Sequence, residues 1–249
     1  MADYKFPTEV VDLPSQGYFY IDGHPLSSGK VEVKYMTAKE EDILTSQNLI
    51  QQGTVIDILL QSLIVDKTIN IKDLLIGDKN AIMLAARILG YGKNYEFEYD
   101  GVEHIVDLSK LEPINLDFGK FTKGINEFSF ELPTSKLLIT FKLLTQADEK
   151  LIEQELKGLK KINKNASPEL TTRLKHVIQS VNGDRTQKTI REFIDNSFLA
   201  RDSRAFRSYL DTIMPDIDLT FDLTFDDGTV IEDVTIPIGV GFFWPDASV

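Results

Sequence analysis

Residues 35–92 read YMTAKEEDILTSQNLIQQGTVIDILLQSLIVDKTINIKDLLIGDKNAIMLAARILGYG, and the spacing of their apolar positions predicts a run of capped amphipathic helices. Thr37 and Glu40 stand three apart just ahead of an apolar run. This is the pattern of a capping box, in which the hydroxyl takes the N3 amide and the carboxylate reaches back to the cap amide. Ile43, Leu44 and Ile50 mark a buried stripe, and Gly53 closes that helix. Thr54 opens a second, with Val55, Ile56, Leu59, Leu60, Leu63 and Ile64 on a wide apolar face. Asp78 is expected to cap a third, from Lys79 to about Leu89, ended by Gly90 and Gly92. Its near-continuous apolar run from Ala81 to Ala86 marks it as the buried helix.

Upstream, Pro7, Pro14 and Pro25 alternate with Gly17, Gly23 and Gly29, which disfavours helix up to residue 29. Tyr18, Phe19 and Tyr20 in this arm are costly to leave in water, so the arm should wrap either its own domain or a partner. A short strand is expected at 31–35. Downstream, Tyr95, Phe97 and Tyr99, the turn Asp100-Gly101 and a return over Val102–Asp107 spell a hairpin. A second strand pair is expected over 125–143.

From 145 the period is helical again. Thr145, Ser167-Pro168, Thr186 and Ser203 each precede an apolar helical stripe, which predicts four helices in sequence. In the second of them Leu170, Leu174, Val177, Ile178 and Val181 form the stripe and Asn182-Gly183 the stop. Leu219, Phe221, Leu223 and Phe225 then alternate with polar residues, Asp226-Asp227-Gly228 turns, and Val230–Ile238 returns. The fold class expected is α+β. It comprises an extended arm (1–29), an α+β domain (30–144), a helical segment (145–215), and a C-terminal hairpin with an apolar tail (216–249) packing with the 95–143 strands.

The chain of 249 residues carries a net charge of −12, which disfavours nucleic acid and anionic lipid as partners. Its basic residues concentrate in 157–207, where they read as a solvated helical face or a contact for an acidic protein. There is no Cys, so disulfides and thiolate zinc sites are excluded. The start, MADYKFPTEVVDLPS, lacks a basic and then apolar leader, and no apolar run is long enough to span a bilayer. A soluble protein without membrane contact is expected.

Three stretches carry a family resemblance. They are Leu13-Pro14-Ser15-Gln16-Gly17-Tyr18-Phe19-Tyr20, the helical run with Glu40-Glu41-Asp42-Ile43-Leu44-Thr45 and Leu75-Ile76-Gly77-Asp78-Lys79-Asn80, and Phe242-Phe243-Trp244-Pro245. With them the chain resembles the baseplate hub assembly proteins of T-even-type contractile-tailed phages, closely over its first hundred residues or so and again over its last dozen. The resemblance implies a non-enzymatic role in building the central hub, as a hub component or an assembly chaperone. The partners implied are other phage baseplate hub subunits, with a homo-oligomer also open. The place implied is the host cytoplasm during assembly, or the tail baseplate of the virion. In the family's wider set such hairpins can hold paired-cysteine knuckles; here Asp100-Gly101 and Asp227-Gly228 stand at the turns, so that metal role is lost.

No chemical motif competes with this reading. His24, His104 and His176 fall in a loop, a strand and a helix without metal-ligand spacing. Gly90-Tyr91-Gly92-Lys93 comes at a helix end, where it reads as a C-cap rather than a phosphate loop. The acids Asp216, Asp218, Asp222, Asp226, Asp227, Glu232 and Asp233 lack the D-x-D-x-D-G order of a calcium loop and are expected on one solvated strand face. No cofactor, metal or catalytic residue is assigned. An unrecognised carboxylate pair is the enzymatic alternative, because such pairing is spatial. The candidate partner-binding residues are the aromatic ends Tyr18, Phe19, Tyr20, Phe242, Phe243, Trp244 and Pro245, expected to be buried in the chain's own core or against a partner.

Overall fold

Thr37 and Glu40 form the capping box expected of them. Glu40 Oε2 accepts from the Thr37 amide at 3.0 Å and from its hydroxyl at 2.6 Å. The computed structural model describes residues 7–99, 101–162, 168–225, 228–236, 238 and 240–243. Within these the protein is α+β.

The arm's strand β1 (Thr8–Asp12) pairs antiparallel with β2 (Lys30–Lys34), Thr8 opposite Lys34 and Asp12 opposite Lys30. Helices α1 (Ala38–Leu44), α2 (Gln47–Gln52), α3 (Val55–Leu63) and α4 (Ile76–Tyr91) follow. Next come the hairpin β3 (Asn94–Tyr99) and β4 (Val102–Asp107), the strands β5 (Phe128–Glu131) and β6 (Leu138–Phe141), and helices α5 (Gln146–Ile162) and α6 (Glu169–Val177). Strand β7 (Ile178–Val181), helices α7 (Gln187–Asn196) and α8 (Ala200–Ile213), and the hairpin β8 (Thr220–Thr224) and β9 (Val230–Thr235) complete the order.

The structure departs from the sequence expectations at several element boundaries. The helix expected from Thr37 to Gly53 is two, separated where the backbone turns extended at Ser46, and Ile50 is exposed. Asp78 does not cap α4. The helix starts at Ile76, after a bridge between Leu75 and Thr145, and Asp78 lies in its first turn facing inward. Pro168 sits at the cap of α6, one residue before the position expected. Ser203 lies inside α8, whose cap is Leu199.

The largest correction is β7. Residues 178–181 do not continue a helix but pair with β6, making the sheet β5-β6-β7. Asn182 and Gly183 both have positive φ, 47° and 84°, and the amides of Val181 and Asp184 each donate to the other's carbonyl at 3.0 Å. That is a two-residue hairpin turn of the primed type, for which Asn-Gly is the preferred pair. The same dipeptide ends helices, and four apolar-rich residues satisfy either period. The free edge of β6 decides between them, with the Asn182 amide donating to the Leu138 carbonyl at 2.7 Å and its Oδ1 accepting from the Leu138 amide at 2.8 Å.

The β5-β6-β7 sheet packs on α8. Phe141 meets Phe206 edge-on at 4.9 Å and Phe130 stacks on Tyr209 at 4.8 Å. The C-terminal hairpin is a separate ribbon whose Phe221 meets Phe97 of β3 edge-on at 5.3 Å. One connected set of buried apolar residues runs from Leu13 through α3 and α4 to Phe243.

Where α4 crosses the segment after α8, Gly77 leaves no room for a side chain. A Cβ there would lie 1.8 Å from the Pro215 carbonyl oxygen, which is backbone and cannot swing aside. Gly77→Ala is therefore expected to destabilise the protein by about 1–3 kcal/mol, as overpacking does. A urea titration showing wild-type stability would count against this crossing.

Candidate functional site

The aromatic ends were expected either in the core or against a partner, and the chain itself covers most of them. Phe19, Tyr20, Phe242 and Phe243 are buried, and Tyr18 is half-buried with its hydroxyl donating to the Phe121 carbonyl at 3.1 Å. Phe19 sits edge-on to Phe121 and Phe128, both at 5.4 Å. As partner-binding residues Phe19, Tyr20, Phe242 and Phe243 are thus corrected to core. Trp244 and Pro245 lie outside the described residues.

Two of the stretches that carry the resemblance meet at the start of α4. Asp78 Oδ1 accepts from the Ser15 amide at 2.9 Å, while its Oδ2 accepts from the Ser15 hydroxyl at 2.7 Å and the Tyr20 hydroxyl at 2.6 Å. The Tyr20 oxygen in turn accepts from the Leu75 amide at 2.9 Å. Burial pushes the Asp78 carboxyl above its ordinary range despite the Tyr20 and Ser15 donors. Burial, with Asp78 beside it, raises the Tyr20 phenol too. A carboxyl raised on folding binds its proton more tightly in the native state, so its contribution is complete below the unfolded pKa and is lost as pH rises through the folded one. Asp78→Asn removes that titration. The stability lead of wild type over this variant should be larger at about pH 4 than at about pH 8. Paired urea titrations giving a constant lead would overturn the assignment.

Farther along α4, Arg87 is 1% exposed and among the described residues donates only to carbonyl oxygens: Phe242 at 2.8 Å, Gly92 at 2.9 Å and Asn94 at 3.3 Å. Its guanidinium lies 5.4 Å from the Tyr91 ring centroid and 5.7 Å from that of Tyr95. The other buried carboxylates also make structural bonds. Burial pushes Glu40 up, but hydrogen bonds from Lys34 and Thr37 outweigh it and hold the group at about 2. Asp202 accepts from the amides of Thr134 and Ser135 at 2.7 and 3.0 Å, tying α8 to the β5-β6 turn. Asp216, expected on a solvated face, is instead half-buried against Asn80 at 3.0 Å, and burial raises its carboxyl.

The histidines stay apart in function. His24 Nδ1 accepts from the Leu26 amide, His104 lies between the rings of Phe97 and Phe225, and His176 Nε2 is 3.0 Å from Glu155. Among the described residues no group of three or more His, Asp or Glu side chains converges as a metal site.

An apolar groove of about 300 Å³ lies between the start of α4, the end of β6, α6 and α8. Leu75, Leu144, Val177, Leu210 and Met214 line it, and Lys142, Glu149, Arg173, Arg207 and Asp211 stand around it. Sequence reasoning missed this site because its walls come from four separated segments. The one signal available was the basic run at 157–207. Within that run six charges are matched as on a solvated face: Lys157 with Glu153, Arg173 with Glu149, Lys175 with Asp195, Arg185 with Glu127, Lys188 with Glu192 and Arg191 with Glu155. Arg201, Arg204 and Arg207 are exposed on successive turns of α8 and have no carboxylate partner among the described residues.

Set against known proteins, the chain matches no family model, no curated protein and no solved structure. Among the described residues no helix is long and apolar enough to cross a membrane.

Proposed function

We propose that this chain is a non-enzymatic phage tail protein that acts by protein–protein binding during assembly of the baseplate central hub. The resemblance over Leu13–Tyr20, Glu40–Thr45 and Leu75–Asn80 carries the reading. It gains support from what those residues do in the fold. Glu40, Ser15, Tyr20 and Asp78 are engaged in capping and in fastening the arm to α4, so the likeness falls on residues that build the scaffold. The buried carboxylates Glu40, Asp57, Asp78 and Asp202 are likewise bound to structural donors. An apolar groove bordered by Arg207, which has no carboxylate partner among the described residues, is the kind of surface a binding role uses.

The test is co-purification of the tagged chain from infected cells at early and late times. Hub subunits should accompany it in assembly intermediates. Mass spectrometry of purified virions then separates a departing assembly factor from a permanent hub component. A chain that associates with no tail protein at any time overturns the proposal.

A further inference from the structure

We propose that the groove between α4, α6 and α8 docks an extended acidic peptide segment of a partner, with one bulky apolar side chain in the cavity and carboxylates along α8. This deepens the assembly reading, on which it rests for the partner's source but not for the chemistry. The cavity is at the small end for ligand sites, whose usual range is about 300–1,000 Å³. A dry apolar cavity of about 150 Å³ already accepts a benzene ring, so this one has room for one or two large side chains.

The rim supplies the charge. Lys142 is held by Asp148 at 2.8 Å and Arg173 by both oxygens of Glu149. Arg207 borders the cavity without a carboxylate partner, and Arg204 and Arg201 continue away from it toward the helix start. Asp211, one turn after Arg207 on the same face, also lines the groove, so the excess of positive charge lies on the Arg207–Arg204–Arg201 side, toward the helix start. From Arg207 to Arg201 is six residues, a rise of about 9 Å with about 120° of turn around α8. An extended chain crossing the helix surface covers that path in about four to five residues, whereas a small carboxylate ligand would use Arg207 alone. The arginine fork suits carboxylates, and an exposed unpaired set is free to take them.

The test uses the full chain and the peptide Asp-Glu-Asp-Phe-Leu-amide carrying fluorescein on its N-terminal amine, read by fluorescence anisotropy. Two control peptides replace the acids with lysines or the Phe-Leu pair with serines. Only the first should bind saturably below about 1 mM, and added salt should weaken it. Arg201→Glu/Arg204→Glu/Arg207→Glu and, separately, Met214→Gln should each weaken binding by about tenfold or more. The three arginines are exposed, so that variant should keep the wild-type melting curve. Absence of saturable binding, equal binding of either control, or undiminished binding by the arginine variant overturns the site. Entry into hub complexes is scored separately. If wild type enters them and the arginine variant enters equally, the groove is not the hub contact and this proposal fails while the assembly role stands. If wild type enters none, the assembly role fails and the peptide data alone decide the groove.

Discussion

Phe243→Ala and Phe242→Ala are each expected to destabilise the protein by about 3–5 kcal/mol, the range for emptying a buried phenylalanine site. Phe243 is 0% and Phe242 1% exposed. The Phe242 ring meets Tyr95 edge-on at 5.1 Å and Phe243 at 5.5 Å, and its carbonyl holds the Arg87 Nε at 2.8 Å. For a chain of this size each kcal/mol shifts Tm by about 2–4 °C, so either single variant should melt roughly 6–20 °C lower. Deleting 242–249 removes both rings and takes one acceptor from a buried guanidinium. The combined loss approaches the whole stability of an ordinary domain, about 5–15 kcal/mol. The deleted chain should not give a cooperative melting transition in circular dichroism. A deletion variant that melts like wild type would mean that these rings do not anchor the core, and would return them to the list of partner contacts.

The second large effect is expected at Asp57 on α3. This carboxylate is 5% exposed and receives Lys79 of α4 at 3.0 Å, Lys150 of α5 at 2.6 Å and the Gln146 side-chain amide at 3.0 and 3.1 Å. It joins the first helices to the segment that begins at α5. Asp57→Ala leaves two ammonium groups facing each other with no counter-charge, and breaking a buried pair in this way costs about 3–5 kcal/mol. Burial alone pushes the Asp57 carboxyl up, but Lys150 and Lys79 outweigh it and hold the group below its ordinary value. A carboxyl lowered on folding contributes in full above its unfolded pKa and loses that contribution as pH falls through the folded value. The stability gap between wild type and Asp57→Asn should therefore be flat above about pH 5 and close as the pH drops below about 4. Urea titrations across that range check both size and sign. A gap that widens on acidification would show that the lysines do not hold this group.

The two buried aspartates pull in opposite directions for one reason. Asp57 meets cations, whereas Asp78 meets only neutral hydroxyls and an amide, so burial prevails at Asp78 and not at Asp57. Neither role is visible in the sequence. Each aspartate sits in the first turn of a helix, where an acid normally signals the helix dipole and no more.

The local grammar of this fold is legible in its sequence. Thr37 and Glu40 cap one helix, the apolar face from Val55 to Ile64 packs inward, and the alternation in Tyr95–Tyr99 and Leu219–Phe225 yields hairpins, as expected. These outcomes depend on neighbours three or four residues away along a helix or directly across a short turn, so the pattern and its cause lie in the same window. The tertiary structure decided the rest. Ile178–Val181 became a strand because β6 offered an open edge, although its residues and the following Asn-Gly also suit a helix end. Tyr20 and Phe242 went to the core, where Asp78 and Arg87 of α4 present fixed partners for the Tyr20 hydroxyl and the Phe242 carbonyl, 58 and 155 residues away in sequence. The groove exists only where α4, the end of β6, α6 and α8 converge. Contacts over such separations depend on how whole elements pack, and that is not encoded in any one stretch of the chain.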